Sequence, residues 1–118
     1  MLLKKHFYTV ESTSTESNSH KVVVKINAKH SIFNGHFTPQ PVVPGVCTIQ
    51  MVKECLSDLL GKSIRYNSIP MCKFISSIIP SEDPVELNFV VGSENSFQAV
   101  VSLNGAVILK MKANYIEQ

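Results

Sequence analysis

An α+β fold, in which an antiparallel sheet wraps around one long central helix, is the architecture that this 118-residue sequence predicts. One segment repeats its apolar residues with a period near 3.6, which is typical of a helix, and the segments around it alternate with a period of two, which is typical of strands. No internal repeat or linker interrupts this order. With 44% hydrophobic residues, the chain has enough apolar material for one core, so residues 1–118 are predicted to form a single domain.

The first two strands are predicted on either side of a polar tract. Residues 22–29 alternate between apolar and mostly polar side chains, as a half-buried strand does, and residues 3–10 are predicted to pair with them. Residues 11–20 consist largely of serine, threonine and asparagine, which favour turns. We therefore expect this tract to be a solvated, mobile hairpin loop.

The helix is predicted over residues 46–60. Gly61 stands where a C′ glycine would end it. The apolar side comprises Ile49, Val52, Cys55, Leu56, Leu59 and Leu60. The opposite, polar side comprises Gln50, Lys53, Glu54, Ser57 and Asp58.

Four further strands are predicted after the helix. The first runs over residues 69–79 and ends at Pro80, and the others cover 85–91, 97–103 and 107–115. Asn104-Gly105 is a strong signal for a two-residue type I′ turn, so the last two strands are predicted to form a hairpin.

Charge and composition exclude some functions. The net charge is +2, from 11 basic and 9 acidic residues, and no Lys/Arg cluster is interleaved with aromatic residues, which argues against nucleic-acid binding. A mildly basic surface can still attract an acidic carrier protein by electrostatic steering, although each lysine alone is more simply a solvated residue. The basic residues considered are Lys4, Lys5, Lys62, Arg65 and Lys73.

The cysteines and the apolar segments indicate a cytoplasmic protein. Cys47, Cys55 and Cys72 form no CxxC pair and are odd in number, so they are predicted to be reduced and mostly buried thiols. The N-terminal residues lack the apolar stretch of a signal peptide, and no segment reaches the roughly 18 apolar residues of a membrane span. No Cys/His cluster or glycine-rich phosphate loop is present, so we expect no metal and no organic cofactor.

The most informative segment precedes the helix and reads His36-Phe37-Thr38-Pro39-Gln40-Pro41-Val42-Val43-Pro44-Gly45. A histidine titrates near neutrality and can take or return a proton, and the prolines restrict the backbone beside it. At the helix start, the unpaired N–H groups around Gly45 and Val46 could stabilise the enolate oxygen that forms when a thioester loses its α-proton. A simpler interpretation, that Pro44-Gly45 only marks the helix start, does not explain the rest of the run.

Residues 33–46 resemble the signature of the hot-dog-fold 3-hydroxyacyl-(acyl carrier protein) dehydratases, in which G-H-F-P-x-x-P-x-x-P-G-V leads into the central helix. The likeness extends to the strand order and to Lys73-Phe74, and it covers most of the chain. One small departure is Thr38, which stands where the proline after His-Phe is usual. The resemblance implies a hot-dog fold, an acyl carrier protein as substrate carrier, and a role in fatty-acid or related acyl-chain biosynthesis.

The resemblance also implies catalytic roles. His36 matches the histidine that removes the C2 proton, whereas the helix position of the family's carboxylate, contributed by the other subunit of a dimer, falls on Gln50. An amide can bind a hydroxyl group but cannot deliver a proton near pH 7 as a carboxylic acid can. Glu54 lies one turn later, where related dehydratases often carry glutamine, so we hypothesise that it reaches into the site or activates a water held by Gln50. The alternative is that Gln50, Glu54 and Asp58 form a solvated polar face.

The implied reaction converts 3-hydroxyacyl groups into trans-2-enoyl thioesters. An apolar pocket is expected to be lined by residues such as Ile49, Phe74, Phe89 and Phe33 or Phe37, with Gly45 and Val46 at the thioester. Such proteins act as a homodimer or a higher oligomer, or as a heterodimer with a related hot-dog protein.

Two other functions remain open. The substitution of Gln50 for an acid favours a catalytically impaired acyl-binding subunit that supports an active hot-dog partner. An acyl thioesterase would need Glu54 or Asp58 to activate water.

Overall fold

The computed structural model describes residues 3–33 and 41–118. In chain order the elements are β1 (Tyr8–Glu16), β2 (Ser19–Ile26), a 3₁₀ turn (Ser31–Phe33), α1 (Gly45–Leu60), β3 (Ile64–Phe74), β4 (Val85–Val91), β5 (Ser96–Leu103) and β6 (Ala106–Glu117). The predicted order of two strands, one long helix and four strands is therefore confirmed.

The six strands form one antiparallel sheet in the order β1-β2-β4-β5-β6-β3. The inward side chains of β2, β4, β5 and β6 form one core with the apolar side of α1. Its members with no more than 1% exposure include Val24, Met51, Val52, Leu56, Val85, Leu87, Phe89, Ala99, Val101, Leu109 and Met111. The sheet and the helix bury their apolar sides against each other, as a two-layer domain requires. Strands β1 and β3 are left as the two edges.

Both ends of α1 follow from the sequence. Pro44 precedes the first turn, where its missing N–H is no loss. Gly61 has φ 69° and ψ 28°, in the left-handed region. Its N–H donates to the Asp58 carbonyl, and the N–H of Lys62 donates to the Ser57 carbonyl at 3.2 Å. These two bonds are those of a Schellman motif, so the predicted C′ glycine is confirmed.

The polar tract after residue 10 forms a strand, and the prediction of a loop over residues 11–20 was wrong. Strand β1 pairs with β2 from Tyr8 to Glu16, with an irregularity between Val10 and Ser12, and only a short turn separates the two strands. Beyond Tyr8, every residue of β1 is exposed. Since both faces of β1 are exposed to water, short hydroxyl side chains are tolerated there. Backbone hydrogen bonds to β2 hold the strand in the sheet.

The third strand begins and ends earlier than predicted. It covers Ile64–Phe74 instead of residues 69–79. After Phe74 the chain leaves the sheet, and Ile78, only 2% exposed, enters the core. The Ile78 carbonyl accepts a 2.8 Å hydrogen bond from Val43 N–H, which ties this segment to the chain that enters α1.

The other local predictions agree with the structure. Asn104 and Gly105 have φ 51° and 80°, as the predicted type I′ hairpin turn requires. Cys47 and Cys55 are buried free thiols, while Cys72 is free but exposed. Across residues 3–33 and 41–118, none of the helical segments combines the length and the apolar character needed to cross a membrane.

Candidate functional site

The helix N-terminus offers two backbone donors. The Pro44 carbonyl accepts from Cys47 N–H at 2.9 Å and from Thr48 N–H at 3.3 Å. For the N–H groups of Gly45 and Val46, the described parts of the chain supply no acceptor. These two groups therefore lie at the positive end of the helix dipole with their donor capacity unused by those residues.

A cleft of about 420 Å³ lies beside this helix start. Phe74 forms part of its wall, and a Cβ placed on Gly45 would lie 3.0 Å from the Phe74 ring carbon Cζ. Glycine at position 45 is thus what lets the ring approach the first turn. The cleft is lined by Val42, Val43, Pro44, Gly45, Thr48, Phe74, Ile75, Ser76, Ser77, Ile78 and Ile108.

Of the expected pocket residues, only Phe74 and Gly45 line this cleft among those that the structure describes. Phe89 is 1% exposed and lies in the core, with its ring centroid 6.2 Å from that of Phe97. Phe33 is half-buried and packs on Phe7 at a centroid distance of 5.7 Å. Val46 is 74% exposed. The expectation that Phe89 lines the pocket is not met in this cleft.

Gln50 and Glu54 lie together on α1. The side-chain Nε2 of Gln50 donates to Oε2 of Glu54 at 2.8 Å. Glu54 is only 4% exposed, so the alternative that places this residue on a solvated polar face is wrong. A separation of one helical turn, about 6 Å along the axis, is bridged because both side chains are long.

The buried carboxylate of Glu54 accepts three further hydrogen bonds from the N-terminal segment. Its Oε2 accepts from Leu3 N–H at 2.8 Å, and its Oε1 accepts from Lys4 N–H at 3.0 Å and from the Tyr8 hydroxyl at 3.1 Å. These donors lie 46 to 51 residues away along the chain. Sequence patterns carry no signal for such a long-range contact, and sequence analysis missed it.

The groups around Glu54 keep their protons near neutrality. Burial raises the pKa of Tyr8 far above its usual range, and the neighbouring Cys55 and Glu54 add to this effect. Burial also raises the pKa of the Cys55 thiol to about 12. The thiol lies 3.9 Å from the Tyr8 hydroxyl, toward which it can donate. Tyr8 is therefore a permanent donor to Glu54, and Cys55 is not a reactive thiolate.

The N-terminal segment that reaches Glu54 is folded into a tight turn. Phe7 N–H donates to the Leu3 carbonyl at 2.8 Å, and Lys5 N–H donates to the Tyr8 carbonyl at 2.7 Å. Lys5 has φ 76°, which is unusual for a residue with a side chain. At the surface, Nζ of Lys4 meets Asp58 at 2.7 Å.

Two predicted site residues, His36 and Phe37, lie outside the described residues, as does the run 34–40 that contains them. Within residues 3–33 and 41–118, no three His, Cys, Asp or Glu side chains gather closely enough to hold a metal ion. The described part of the site thus consists of the helix start, the cleft and the Gln50–Glu54 pair.

Solved structures define the class of fold. The dehydratase heterocomplex ApeI:P from Xenorhabdus doucetiae superposes with a TM-score of 0.77 and 20% identity over 90% of this chain and 95% of that one. An uncharacterised protein from Erwinia carotovora subsp. atroseptica gives a TM-score of 0.75 and 20% identity over 92% and 93% of the two chains. With one α-helix and six antiparallel strands in its described residues, the chain has the expected hot-dog fold.

Sequence comparison then gives the family. The ApeI-like family, described as ApeI dehydratase, matches residues 11–111, so this chain belongs to the ApeI-like dehydratase family. Among curated relatives, the 3-hydroxyacyl-[acyl-carrier-protein] dehydratase FabZ of Haemophilus influenzae is 26% identical over 104 residues, covering 78% of this chain and 70% of the relative.

Proposed function

We propose that this protein is a 3-hydroxyacyl-(acyl carrier protein) dehydratase of fatty-acid or related acyl-chain biosynthesis, acting in the cytoplasm. The observation that carries the proposal is the match of residues 11–111 to a dehydratase family. The relatives named FabZ support the substrate class, an acyl chain held as a thioester on acyl carrier protein. No particular observation favours a thioesterase.

In the proposed reaction, His36 removes a proton from C2 of the 3-hydroxyacyl thioester. The electron pair of the broken C–H bond moves toward the thioester carbonyl, whose oxygen gains negative charge. The N–H groups of Gly45 and Val46 are suited to donate to that oxygen, because they carry the positive end of the helix dipole. The cleft beside Phe74 supplies an apolar wall for the acyl chain.

The second half of the reaction needs a proton on the departing hydroxyl group. Gln50 cannot supply one near pH 7, since a primary amide is not an acid in that range. We propose that the protonated His36 returns its proton to the 3-hydroxyl oxygen while Gln50 binds that hydroxyl. The C3–O bond then breaks, water leaves, and a trans-2-enoyl thioester and neutral His36 remain, so that protons and electrons balance.

The other proposed role for Glu54, as an acid or as a base that activates water, stays a prediction. All four groups that hydrogen-bond to Glu54 in the described residues are donors, so both carboxyl oxygens act as acceptors there. For Glu54 to contact substrate, one of these hydrogen bonds would have to break, and leaving its buried donor unpaired costs about 1–3 kcal/mol. The contacts of Glu54 therefore favour Gln50 as the residue that meets the hydroxyl.

We also infer that the protein assembles with a second hot-dog subunit through the edge strand β3. Eight of its eleven residues are exposed, Tyr66 and Met71 are half-buried and Ile64 is buried, and among the described residues no strand lies beyond it. Exposed apolar side chains lie on this strand, namely Ile69 and Phe74, and beside it, namely Val42 and Ile75, which line the cleft together with Phe74. A homodimer is the simplest assembly, and the heterocomplex of the related ApeI:P supports a related subunit as the alternative partner.

A thioester assay tests the proposed function. Purified protein is incubated with 3-hydroxybutyryl and crotonyl groups on acyl carrier protein, and enoyl absorbance and free thiol are followed together. Dehydration that is abolished in His36→Ala supports the proposal, and His20→Ala serves as a control because His20 lies on β2 beside Thr15. Thiol release would identify a thioesterase, and no change in either signal would favour a non-catalytic subunit.

The substitution Gln50→Glu tests whether a carboxyl group at position 50 can supply the proton that Gln50 cannot. A carboxyl group at position 50 would lie beside Glu54, and because two carboxylates in contact cannot both ionise, one keeps its proton near neutrality. We expect turnover to rise, by up to about 10²-fold if general acid catalysis limits the wild type. An unchanged or lower rate in a folded variant would contradict the assignment of position 50 to the hydroxyl group.

A further inference from the structure

His30 lies in the segment that joins β2 to the run 34–40, and the proposed reaction gives it no role. Its backbone carbonyl accepts from Phe33 N–H at 3.1 Å, which closes the 3₁₀ turn. Its side chain is half-buried, and the ring nitrogen Nδ1 accepts from Ile32 N–H at 3.1 Å. His30 is therefore the N-cap of this turn, since the first N–H groups of a helical turn have no partner within the turn itself.

The hydrogen bond from Ile32 requires one form of the imidazole ring. A ring nitrogen that accepts a hydrogen bond carries no proton, so the neutral ring of His30 holds its proton on Nε2. A protonated imidazole carries N–H groups on both nitrogens and has no acceptor left. Protonation of His30 therefore removes the cap, because it sets two donors, Nδ1–H and the Ile32 N–H, against each other.

The turn that His30 caps is anchored on the N-terminal segment. The Phe7 ring is fully buried, and its centroid lies 5.4 Å from that of the His30 ring, edge-on, and 5.7 Å from that of Phe33. Just before the turn, Asn27 N–H donates to the Phe7 carbonyl at 2.7 Å, and the Asn27 Nδ2 donates to the His6 carbonyl at 2.9 Å. Phe33, which ends the turn, is thus held both by the Phe7 ring and by the capped backbone.

We propose that His30 is a positioning residue that acts only in its neutral form, in which Nδ1 caps the turn and fixes the direction in which the chain continues toward His36. This inference rests on the proposed dehydratase function for the role of His36 as the base. Because His36 follows Phe33 by only three residues, a change in the direction of the turn displaces the chain at position 36. Acid then lowers activity through His30 as well as through His36.

Other titratable groups lie on the elements around His30. They are Lys4, Lys5 and His6 in the N-terminal turn, Lys29 next to His30, and Glu54 and Asp58 on α1, to which the N-terminal turn is bonded. Within the described residues, none of them forms a hydrogen bond or an ion pair with the His30 ring. Histidine is the side chain that titrates between about pH 5 and 8, so His6 is the group whose titration has to be separated from that of His30.

NMR of the His30 ring and of the Ile32 amide tests the cap independently of catalysis. At about pH 8, long-range ¹H–¹⁵N correlation should show His30 with an unprotonated Nδ1. The Ile32 amide should then exchange with water at least about 10-fold more slowly than its intrinsic rate. At about pH 5 this protection, again relative to the intrinsic rate, should be lost, and the loss should follow the titration of the His30 ring.

His30→Asn is the variant that keeps the cap without the titration. In this same chain, Oδ1 of Asn27 accepts from Lys29 N–H at 3.1 Å, two residues ahead, as Nδ1 of His30 does from Ile32. We expect His30→Asn to protect the Ile32 amide equally at both pH values, and His30→Ala to leave it unprotected at both. His6→Ala is the control for the neighbouring histidine and should behave like the wild type.

The ring signals of His36 and the kinetics test the positioning. The sequence has four histidines, so single substitutions assign their ring signals, and those of His36 should shift in His30→Ala but not in His30→Asn. At about pH 8, kcat should fall by about 10-fold in His30→Ala with little change in KM, and by less than about 3-fold in His30→Asn. From about pH 8 to 5.5, the rate of His30→Asn divided by that of the wild type should rise about 5- to 10-fold, because the titration of His36 is common to both.

The outcomes separate this proposal from the proposed function. A protonated Nδ1 on His30 near pH 8, or equal exchange of the Ile32 amide in the wild type and His30→Ala, would overturn the cap. A constant ratio of the two rates across pH, or unchanged His36 signals in His30→Ala, would overturn the positioning role. If the Ile32 amide and the His36 signals depend on His30 as expected in a protein that dehydrates no thioester, positioning by His30 is supported and the dehydratase function is refuted.

Discussion

At the scale of single residues, the interior of this protein keeps its polar groups paired. Every buried side-chain nitrogen and oxygen in the described residues has a hydrogen-bond partner. The Tyr8 hydroxyl, the Cys55 thiol and Glu54 form one such group beneath the N-terminal turn. Because an unpaired buried polar atom costs about 1–3 kcal/mol, removing any member of the group should lower the free energy of unfolding.

Because the thiol of Cys55 is buried, the stability of the protein is expected to fall as the pH becomes alkaline. Its pKa is raised from an ordinary value of 9.0 to about 12 in the folded protein. The unfolded chain therefore loses this proton first, and stability that is fully present below pH 9 is lost as pH rises toward 12, by up to about 1.4 kcal/mol per pH unit. We expect urea unfolding of Cys55→Ala to show a shallower decline above pH 9 than the wild type. An equal decline of the free energy of unfolding with pH in the two proteins would contradict this prediction. Some decline is expected in both, because Tyr8 and other groups also have raised pKa values.

The proposed site residues Gln50 and Glu54 differ in how far their positions can be predicted from the sequence. Gln50 and Glu54 share a helix, so a one-turn spacing predicts that they are neighbours, and their contact at 2.8 Å agrees with this. The burial of Glu54 was not predictable from that pattern. It depends on the backbone N–H groups of Leu3 and Lys4, which any residue type could supply, and composition therefore gives no sign of it.

At the scale of secondary-structure elements, the sequence predicts best the elements that have one buried side. The helix and strands β4 to β6 show clear periodicity because one face of each meets the core. The edge strands lack this contrast. In β1 both faces are exposed, and in β3 the pairing with β6 shifts twice, between Tyr66 and Ser68 and between Ser68 and Met71, so alternation is broken.

The apolar residues after β3 explain why the strand predicted over residues 69–79 extends too far. Ile75, Ile78 and Ile79 are strand formers by composition. Only Ile78 is buried, and it fills the core from a segment that has left the sheet. Where the chain leaves the sheet, the carbonyl of Ile108 accepts hydrogen bonds from the N–H groups of both Ile75 and Ser76. Tertiary packing thus overrides local strand preference here.

The end of α1 gives a prediction at this scale. Gly61 has φ 69°, and no atom would lie within 4 Å of an added Cβ, so the cost of substitution is purely conformational. We expect Gly61→Ala to lower the free energy of unfolding by about 1–2 kcal/mol. Gly61→Asn should cost less, because asparagine tolerates the left-handed region. Thermal or urea unfolding would measure both, and equal stability of Gly61→Ala and the wild type would contradict the capping role.

At the scale of the whole molecule, the two edges of the sheet are unlike. Strand β3 carries exposed apolar side chains, with Ile69 at 38% and Phe74 at 47% exposure. Beyond Tyr8, strand β1 carries mainly serine, threonine and glutamate. An exposed apolar edge is a site for strand pairing with another chain, whereas a polar edge is a poor one. This contrast supports the proposed assembly through β3.

Matched lysine substitutions test which of the two sheet edges forms the proposed contact between subunits. Ile69 on β3 and Val10 on β1 are both 38% exposed. We expect Ile69→Lys to shift the sedimentation coefficient from that of a dimer toward that of a monomer, because the lysine would place a charge in the contact. Val10→Lys should leave the dimer intact. Dissociation by Val10→Lys alone would assign the contact to the opposite edge.

The polar strand β1 has a consequence for how large such an assembly can become. When two six-stranded sheets join symmetrically through β3, each contributes the same edge, and β1 forms both outer margins of the combined sheet. Those margins present Glu11 and Glu16 together with short hydroxyl side chains. In the proposed pair, a second pair that approached through its own outer margin would bring like-charged carboxylates against these, which disfavours growth of the sheet beyond two subunits.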